Sequence, residues 1–242
     1  MLHAFTQNKS RLYQRYRGIR DGEEKRIAAE DEITSLIFSP LAFLPDVAIG
    51  EFWRALVEYR EKALPLPFPD GVVSTASMDF WLKDGIEPDL VVRLHWPCGA
   101  SRTLIVELKW RSPLSPPDQL QQQWTQYLSA AERASAYHLF IAPDVSAGES
   151  ALSNDVWNGR LMLRPWHQVA DLLNALDGPL QKWARQACAF LKLLHIAPFS
   201  GFSKLAAPEL PEALPGQPFF WAGFSGFDHL TPPNLEHYPC LK

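Results

Sequence analysis

The sequence lacks any long apolar run. No window approaches the roughly 18 apolar residues that a membrane-spanning helix needs, and Leu2 to Lys9 has no apolar core of the kind an export signal carries. A cytoplasmic protein is expected. Cysteine is scarce: Cys98, Cys188 and Cys240 are odd in number, far apart and without a CxxC pair, which excludes a disulfide framework and fits a reducing compartment. Surplus basic charge is missing too, since 23 Lys and Arg stand against 27 Asp and Glu for a net charge of -4. That balance excludes a general polyanion binder and makes any nucleic-acid contact local. No GxxxxGKS/T or GxGxxG loop cradles a phosphate, so the chain has no nucleotide-driven motor of its own. Gly223-Phe224-Ser225-Gly226 has the wrong spacing for a nucleophile elbow. Among His167, His195, His229 and His237 with Cys188 and Cys240, only His237 and Cys240 have metal-ligand spacing, and two ligands do not make a zinc site.

What is present is an ordinary globular composition, with 47% hydrophobic and 21% charged residues over 242 positions. This is enough for one ample core plus decoration. The 9 Trp, 14 Phe and 21 Pro point to long packed loops. Residues 1–196 are expected to form an α/β domain, and residues 197–242, where periodicity vanishes, an irregular extension. That extension carries Phe199-Ser200-Gly201-Phe202 and Phe224-Ser225-Gly226-Phe227, the same tetrapeptide twice, beside Phe219-Phe220-Trp221. It packs its aromatics on the domain or presents them to a protein partner.

Helical spacing of Leu12, Tyr16 and Ile19, then of Ile27, Ile33, Leu36 and Ile37, predicts two helices broken at Asp21-Gly22, and Gly50 to Arg60 predicts a third. Val72 to Leu82, Asp89 to Trp96 and Arg102 to Trp110 read as three strands, with a turn at Lys83-Asp84-Gly85 and a hairpin connection from Pro97 to Ser101. A helix from Asp118, as N-cap, to about Ala134 then leads to a fourth strand, Tyr137 to Ala142, by the geometry of a parallel crossover. Arg160 to Arg164 reads as a fifth short strand, followed by helices over Trp166 to Leu176 and Pro179 to Leu194. The order of the core is α-β-β-β-α-β.

Side chains alternate along a strand, so Glu107 and Lys109 share one face while Val106, Leu108 and Trp110 share the other. Charges on so apolar a strand need partners or a task. Asp89 begins the paired strand, and the hairpin brings it opposite Glu107 or Lys109. Two neighbouring carboxylates repel unless a proton or cation intervenes, and hard oxygen ligands suit Mg2+ or Mn2+. A lysine beside such a site can orient or deprotonate a water attacking a phosphodiester. A plain ion pair of Glu107 with Lys109 is the structural alternative.

Glu87-Pro88-Asp89 followed by Glu107-Leu108-Lys109 resembles the PD and ExK elements of the PD-(D/E)xK nuclease superfamily. The helix with Glu30-Asp31-Glu32-Ile33-Thr34 is similar to that family's N-terminal helix, whose acidic residue a turn before a Thr completes the metal site, with Glu30 as first choice and Glu32 as reserve. Gln123-Trp124-Thr125-Gln126-Tyr127 resembles the QxxxY element of the RecB-like branch, in which the Gln assists the site and the Tyr packs or contacts nucleic acid.

The resemblance covers about residues 25–142 and implies a restriction-endonuclease-like core, a mixed central sheet flanked by helices. It implies a Mg2+-dependent (or Mn2+-dependent) nuclease acting on DNA rather than RNA, in a bacterial defence, restriction or repair setting. Glu30, Asp89 and Glu107 would be metal ligands, Lys109 would position the water, and Gln123 and Tyr127 would support the site. Arg93, Arg102, Arg111 and Lys83 are the nearby candidates for phosphate contacts. The alternative is a nuclease-fold module without catalysis that serves as a binding or scaffold subunit.

Overall fold

The computed structural model describes residues 1–19, 29–82 and 86–196. By its internal contacts the chain divides into Met1–Phe199 and Ser200–Lys242, and the described residues all belong to the first unit. The expected helix break at Asp21-Gly22, the turn at Lys83 to Gly85 and the aromatic extension lie outside the described residues.

Five strands form one open mixed sheet whose spatial order is the order of the sequence: β1 (Thr75–Phe80), β2 (Leu90–His95), β3 (Ser101–Leu108), β4 (Ala136–Ala142) and β5 (Leu161–Pro165). β1, β2 and β3 pair antiparallel, whereas β3, β4 and β5 pair parallel. The antiparallel half follows from short links. After β2 the chain turns at Gly99, whose φ of 82° is open to glycine at little cost, and Trp96 N–H donates to the Ala100 carbonyl at 2.9 Å. The parallel half needs long crossovers.

β2 and β3 are buried on both faces, as their near-continuous apolar runs require. Leu90, Val92, Leu94, Leu104, Val106 and Leu108 enter one apolar core, and the alternating Val91 and Ile105 enter a second. The first core is covered by α2 (Ala29–Phe38), α3 (Asp46–Glu58), α7 (Trp166–Ala175) and α8 (Gln181–Leu193), which contribute Ile33, Ile37, Phe52, Trp53, Val169 and Phe190. Gly50 is needed inside α3 because a Cβ there would meet the Val73 side chain at 2.6 Å. The second core gathers Leu120, Trp124, Leu128 and Trp157 on the opposite side of the sheet. β1 is half exposed, as an edge strand should be. No helix among the described residues is long and apolar enough to cross a membrane.

The element order α-β-β-β-α-β agrees with the sequence reading, with differences inside it. The single helix expected from Asp118 to Ala134 is interrupted: α4 (Gln119–Gln122) runs into a π-helical turn, Gln123–Tyr127, and Leu128 is extended before α5 (Ala130–Ala134) starts. The break is capped, because Ser129 and Glu132 form a reciprocal capping box. Asp118 makes no capping bond to the backbone and accepts from the Gln122 amide at 2.9 Å instead. Two short helices, α1 (Leu2–Thr6) and α6 (Ser146–Leu152), were not foreseen, being too short for periodicity to reveal. The first predicted helix is a 3-10 segment, Leu12–Arg17.

Candidate metal centre

The site is built at one end of the β2–β3 hairpin. Pro88 biases Glu87 toward extended backbone and leads directly into β2. With Leu90 paired to Val106, one further step along the antiparallel register sets Asp89 opposite Glu107. Asp89 Oδ2 accepts from Leu108 N–H at 2.7 Å, which aims the carboxylate along the end of β3.

Glu107 is 1% exposed and faces the second core. Its burial is met by polar partners: Gln119 Nε2 donates to Oε1 at 2.8 Å and Gln123 Nε2 to Oε2 at 2.6 Å. Gln123 Nε2 also donates to the Glu87 carbonyl at 3.1 Å, so the amide ties β3 to the segment that leads into β2. This double donation fixes which end of the amide is nitrogen, and it leaves Gln123 Oε1 buried without a hydrogen-bond partner among the described residues.

The third carboxylate comes from the first turn of α2. Glu30 Oε2 accepts from Trp110 N–H at 3.1 Å and from the Ser112 hydroxyl, and Oε1 accepts from Lys109 Nζ at 2.9 Å. Lys109 Nζ lies 2.5 Å from Glu107 Oε1 as well, so one ammonium joins acids from two elements. Ligand oxygens of Glu30, Asp89 and Glu107 all lie within 4.8 Å of one another.

The backbone around Lys109 is held firmly. Its N–H donates to the Ile141 carbonyl at 2.8 Å, its carbonyl accepts from Trp166 Nε1 at 2.9 Å, and Trp110 Nε1 donates to the Tyr16 carbonyl at 2.9 Å. The buried indoles of Trp110 and Trp166 meet edge to face at 6.2 Å. The Lys109 side chain is thereby aimed at the acids.

Burial, reinforced by the Glu107 charge, pushes the Asp89 carboxyl up to about 8. Burial raises the Glu107 carboxyl as well, against the opposing pull of Lys109 and Gln123. For Lys109, burial alone would lower the ammonium, but the Glu107 charge and hydrogen bonds to Glu107 and Glu30 outweigh it, leaving the group above the ordinary lysine range. The cluster therefore holds more carboxylate than its one lysine neutralises, which is the electrostatic state that a divalent cation relieves. Three hard oxygen donors of this kind could hold Mg2+ or Mn2+.

Glu30, Asp89, Glu107, Lys109 and Gln123 are thus brought together. Glu32, the reserve, points elsewhere: it accepts from the Tyr16 hydroxyl at 2.6 Å and pairs with Arg15. Thr34 is buried with its hydroxyl on the Glu30 carbonyl at 2.9 Å, so it tightens α2 and donates to no carboxylate of the cluster. Tyr127 is half-buried against the second core, and its hydroxyl makes no hydrogen bond to the cluster among the described residues. Of the candidate phosphate contacts, Arg93 pairs with Asp79 at 2.9 Å and Arg102 donates to the Ser101 carbonyl at 2.7 Å, while Arg111 is exposed and Lys83 lies outside the described residues.

Gln119, Ser112 and Trp166 were missed in the sequence. Gln119 stands four residues before Gln123 on a glutamine-rich helix, a spacing that places both amides on one face, and this was the available signal. Nothing in the sequence marks Trp166 as the residue that holds the Lys109 carbonyl. No protein-family model, no curated protein and no solved structure matches the chain.

Proposed function

We propose that the chain is a metal-dependent nuclease of the PD-(D/E)xK type that hydrolyses phosphodiester bonds, with DNA as substrate. The observation that carries this reading is the convergence of Glu30, Asp89 and Glu107, from three separate elements, within 4.8 Å, with Lys109 beside them. Hard oxygen donors suit a divalent cation, and the Glu107 charge, which with burial pushes the Asp89 carboxyl up to about 8, is a repulsion that such a cation would relieve. When bound, Mg2+ or Mn2+ supplies polarisation of a phosphoryl oxygen and stabilisation of the leaving alkoxide.

The protein's own groups have distinct tasks. Glu30, Asp89 and Glu107 hold the cation. Gln119 and Gln123 keep Glu107 in place from the α4 side. Lys109 stays protonated across the neutral range because of its two acidic partners. It therefore acts as a donor that orients the attacking water and offsets the charge developing on the phosphate, while the proton lost by that water passes to bulk water.

A binding subunit without catalysis is the second reading. It is favoured by one observation, that Lys109 already bridges Glu30 and Glu107 as a closed ion-pair network would. Calorimetric titration with Mn2+ separates the two. Binding that is lost in Asp89→Ala is expected of the nuclease; absence of binding at millimolar Mn2+ would favour the subunit.

A further inference from the structure

The parallel strands β3 and β4 both end beside the acidic cluster, and the chain leaves them in loops that diverge. One link carries Arg111 to Leu114, the other Pro143 and Asp144 and then the start of α6 at Ser146 and Ala147. Crevices outside the carboxyl ends of parallel strands are where open α/β sheets take ligands. Between these segments lies an open cavity of about 410 Å³ with Phe140, Leu114 and Ala147 among its walls and Lys109 at one side. Its size falls in the range of small-ligand pockets, roughly 300–1,000 Å³.

The cavity and the acidic cluster share a wall. Phe140 stands beside Glu107 in the β3–β4 register, and Lys109 belongs to both. Its rim is polar and unequally charged. Asp144 is the acid of this lining, its two oxygens turned to Ser146, whose N–H donates at 2.9 Å and hydroxyl at 3.0 Å. Arg111 is exposed and in no ion pair among the described residues. Its guanidinium lies over Gly18, where a Cβ would meet Nη1 at 2.7 Å, so the glycine leaves room for it.

We propose that this cavity receives one unpaired nucleotide of the substrate strand, its base on the apolar wall and its phosphate toward Arg111 and Lys109. A duplex keeps its bases stacked and paired, so only a single-stranded, frayed or flipped nucleotide presents a base to such a pocket. The enzyme consequently prefers single strands or strand ends to the interior of a duplex. The placement of this nucleotide next to a cleaved bond rests on the nuclease reading; strand binding by the pocket is measured separately from cleavage.

Ala147 is exposed on the cavity wall, so Ala147→Trp fills the space without disturbing the core. Arg111→Glu reverses the rim charge by an independent route. Anisotropy of a short fluorescein-labelled single strand of thymidines, and of a blunt duplex, is followed with each protein in Ca2+, and cutting of both is followed in Mn2+. The wild type is expected to bind the single strand at least tenfold tighter than the duplex, and each variant to lose tenfold or more of strand affinity. Equal strand binding by the wild type and both variants, or a wild-type preference for duplex, would overturn the proposal. Strand cutting that requires Lys109 but is indifferent to Ala147→Trp would overturn the pocket and leave the nuclease reading intact. Pocket-dependent strand binding with no cutting by the wild type would support the pocket and remove the nuclease reading.

Discussion

Asp89 stands opposite Glu107 at the end of the β2–β3 hairpin, and its Oδ2 accepts from the backbone N–H of the very next residue, Leu108, at 2.7 Å. The bond commits Asp89 to the same side of the sheet as Glu107, so two buried carboxylates meet with a single lysine between their neighbours. The strain of that meeting is electrostatic, and it makes the site legible in stability measurements as well as in activity.

The Asp89 carboxyl, at about 8 in the folded chain, lies above its unfolded value of 3.8. The folded state therefore binds the extra proton between these values, and metal-free stability falls as pH rises through that window, by up to about 1.4 kcal/mol per pH unit. Asp89→Asn removes the titration while keeping an acceptor for Leu108 N–H. Urea unfolding in EDTA at pH 5 and pH 8 should give a smaller loss for the variant than for the wild type. Equal losses would show that Asp89 is ionised without cost.

Lys109→Met removes the ammonium that joins Glu30 to Glu107. Leaving buried acids unpaired should destabilise the metal-free protein by roughly 3 kcal/mol. A divalent cation can replace the missing charge, so Mn2+ should raise the Tm of Lys109→Met more than that of the wild type. Thermal melts in EDTA and in Mn2+ check this, and an identical metal-induced shift would contradict it.

Gln123→Leu strips Glu107 Oε2 and the Glu87 carbonyl of one shared donor. A cost of about 2 kcal/mol in stability is expected from the unmet acceptors, together with a fall in kcat. Gln119→Ala should do less to stability, since Gln119 is the more exposed of the two amides. Urea titrations and initial rates on the two variants give the comparison.

How far the sequence disclosed this site can be judged from single residues. The alternation Glu107-Leu108-Lys109 and the position of Asp89 after Pro88 were sufficient to place three groups on one side of a hairpin, because strand periodicity is strict. The resemblance alone favours Glu30 over Glu32; the physical reason lies in packing, since both stand in the first turn of α2 and Tyr16 and Arg15 take Glu32 away. The π-helical turn at Gln123–Tyr127 could not be read at all, because it arises from how Gln123 reaches Glu107 while Trp124 enters the core. Its end could have been read, from Ser129 and Glu132 at capping-box spacing.

A second titration tests the second core. His138 is wholly buried in β4, its Nδ1 accepting from Trp157 Nε1 at 3.1 Å, and burial lowers it to about 3. Its folded value lies below the unfolded 6.5, so its contribution is complete above that value and is lost as pH falls toward 3, by up to about 1.4 kcal/mol per pH unit. His138→Gln, which keeps an acceptor for Trp157, should flatten the acid limb of stability between pH 6 and pH 4 as followed by urea unfolding. An unchanged slope would mean that the imidazole is not held neutral.

The most direct measurement is cutting of supercoiled plasmid and linear DNA in Mg2+ or Mn2+ by the wild type beside Asp89→Ala and Lys109→Ala. The wild type should cut, and each substitution should reduce the rate by about a hundredfold or more, the scale of losing a transition-state charge partner. Cutting that survives both substitutions, or a wild type that cuts neither DNA nor RNA in either metal, would contradict a nuclease centre at Glu30, Asp89, Glu107 and Lys109.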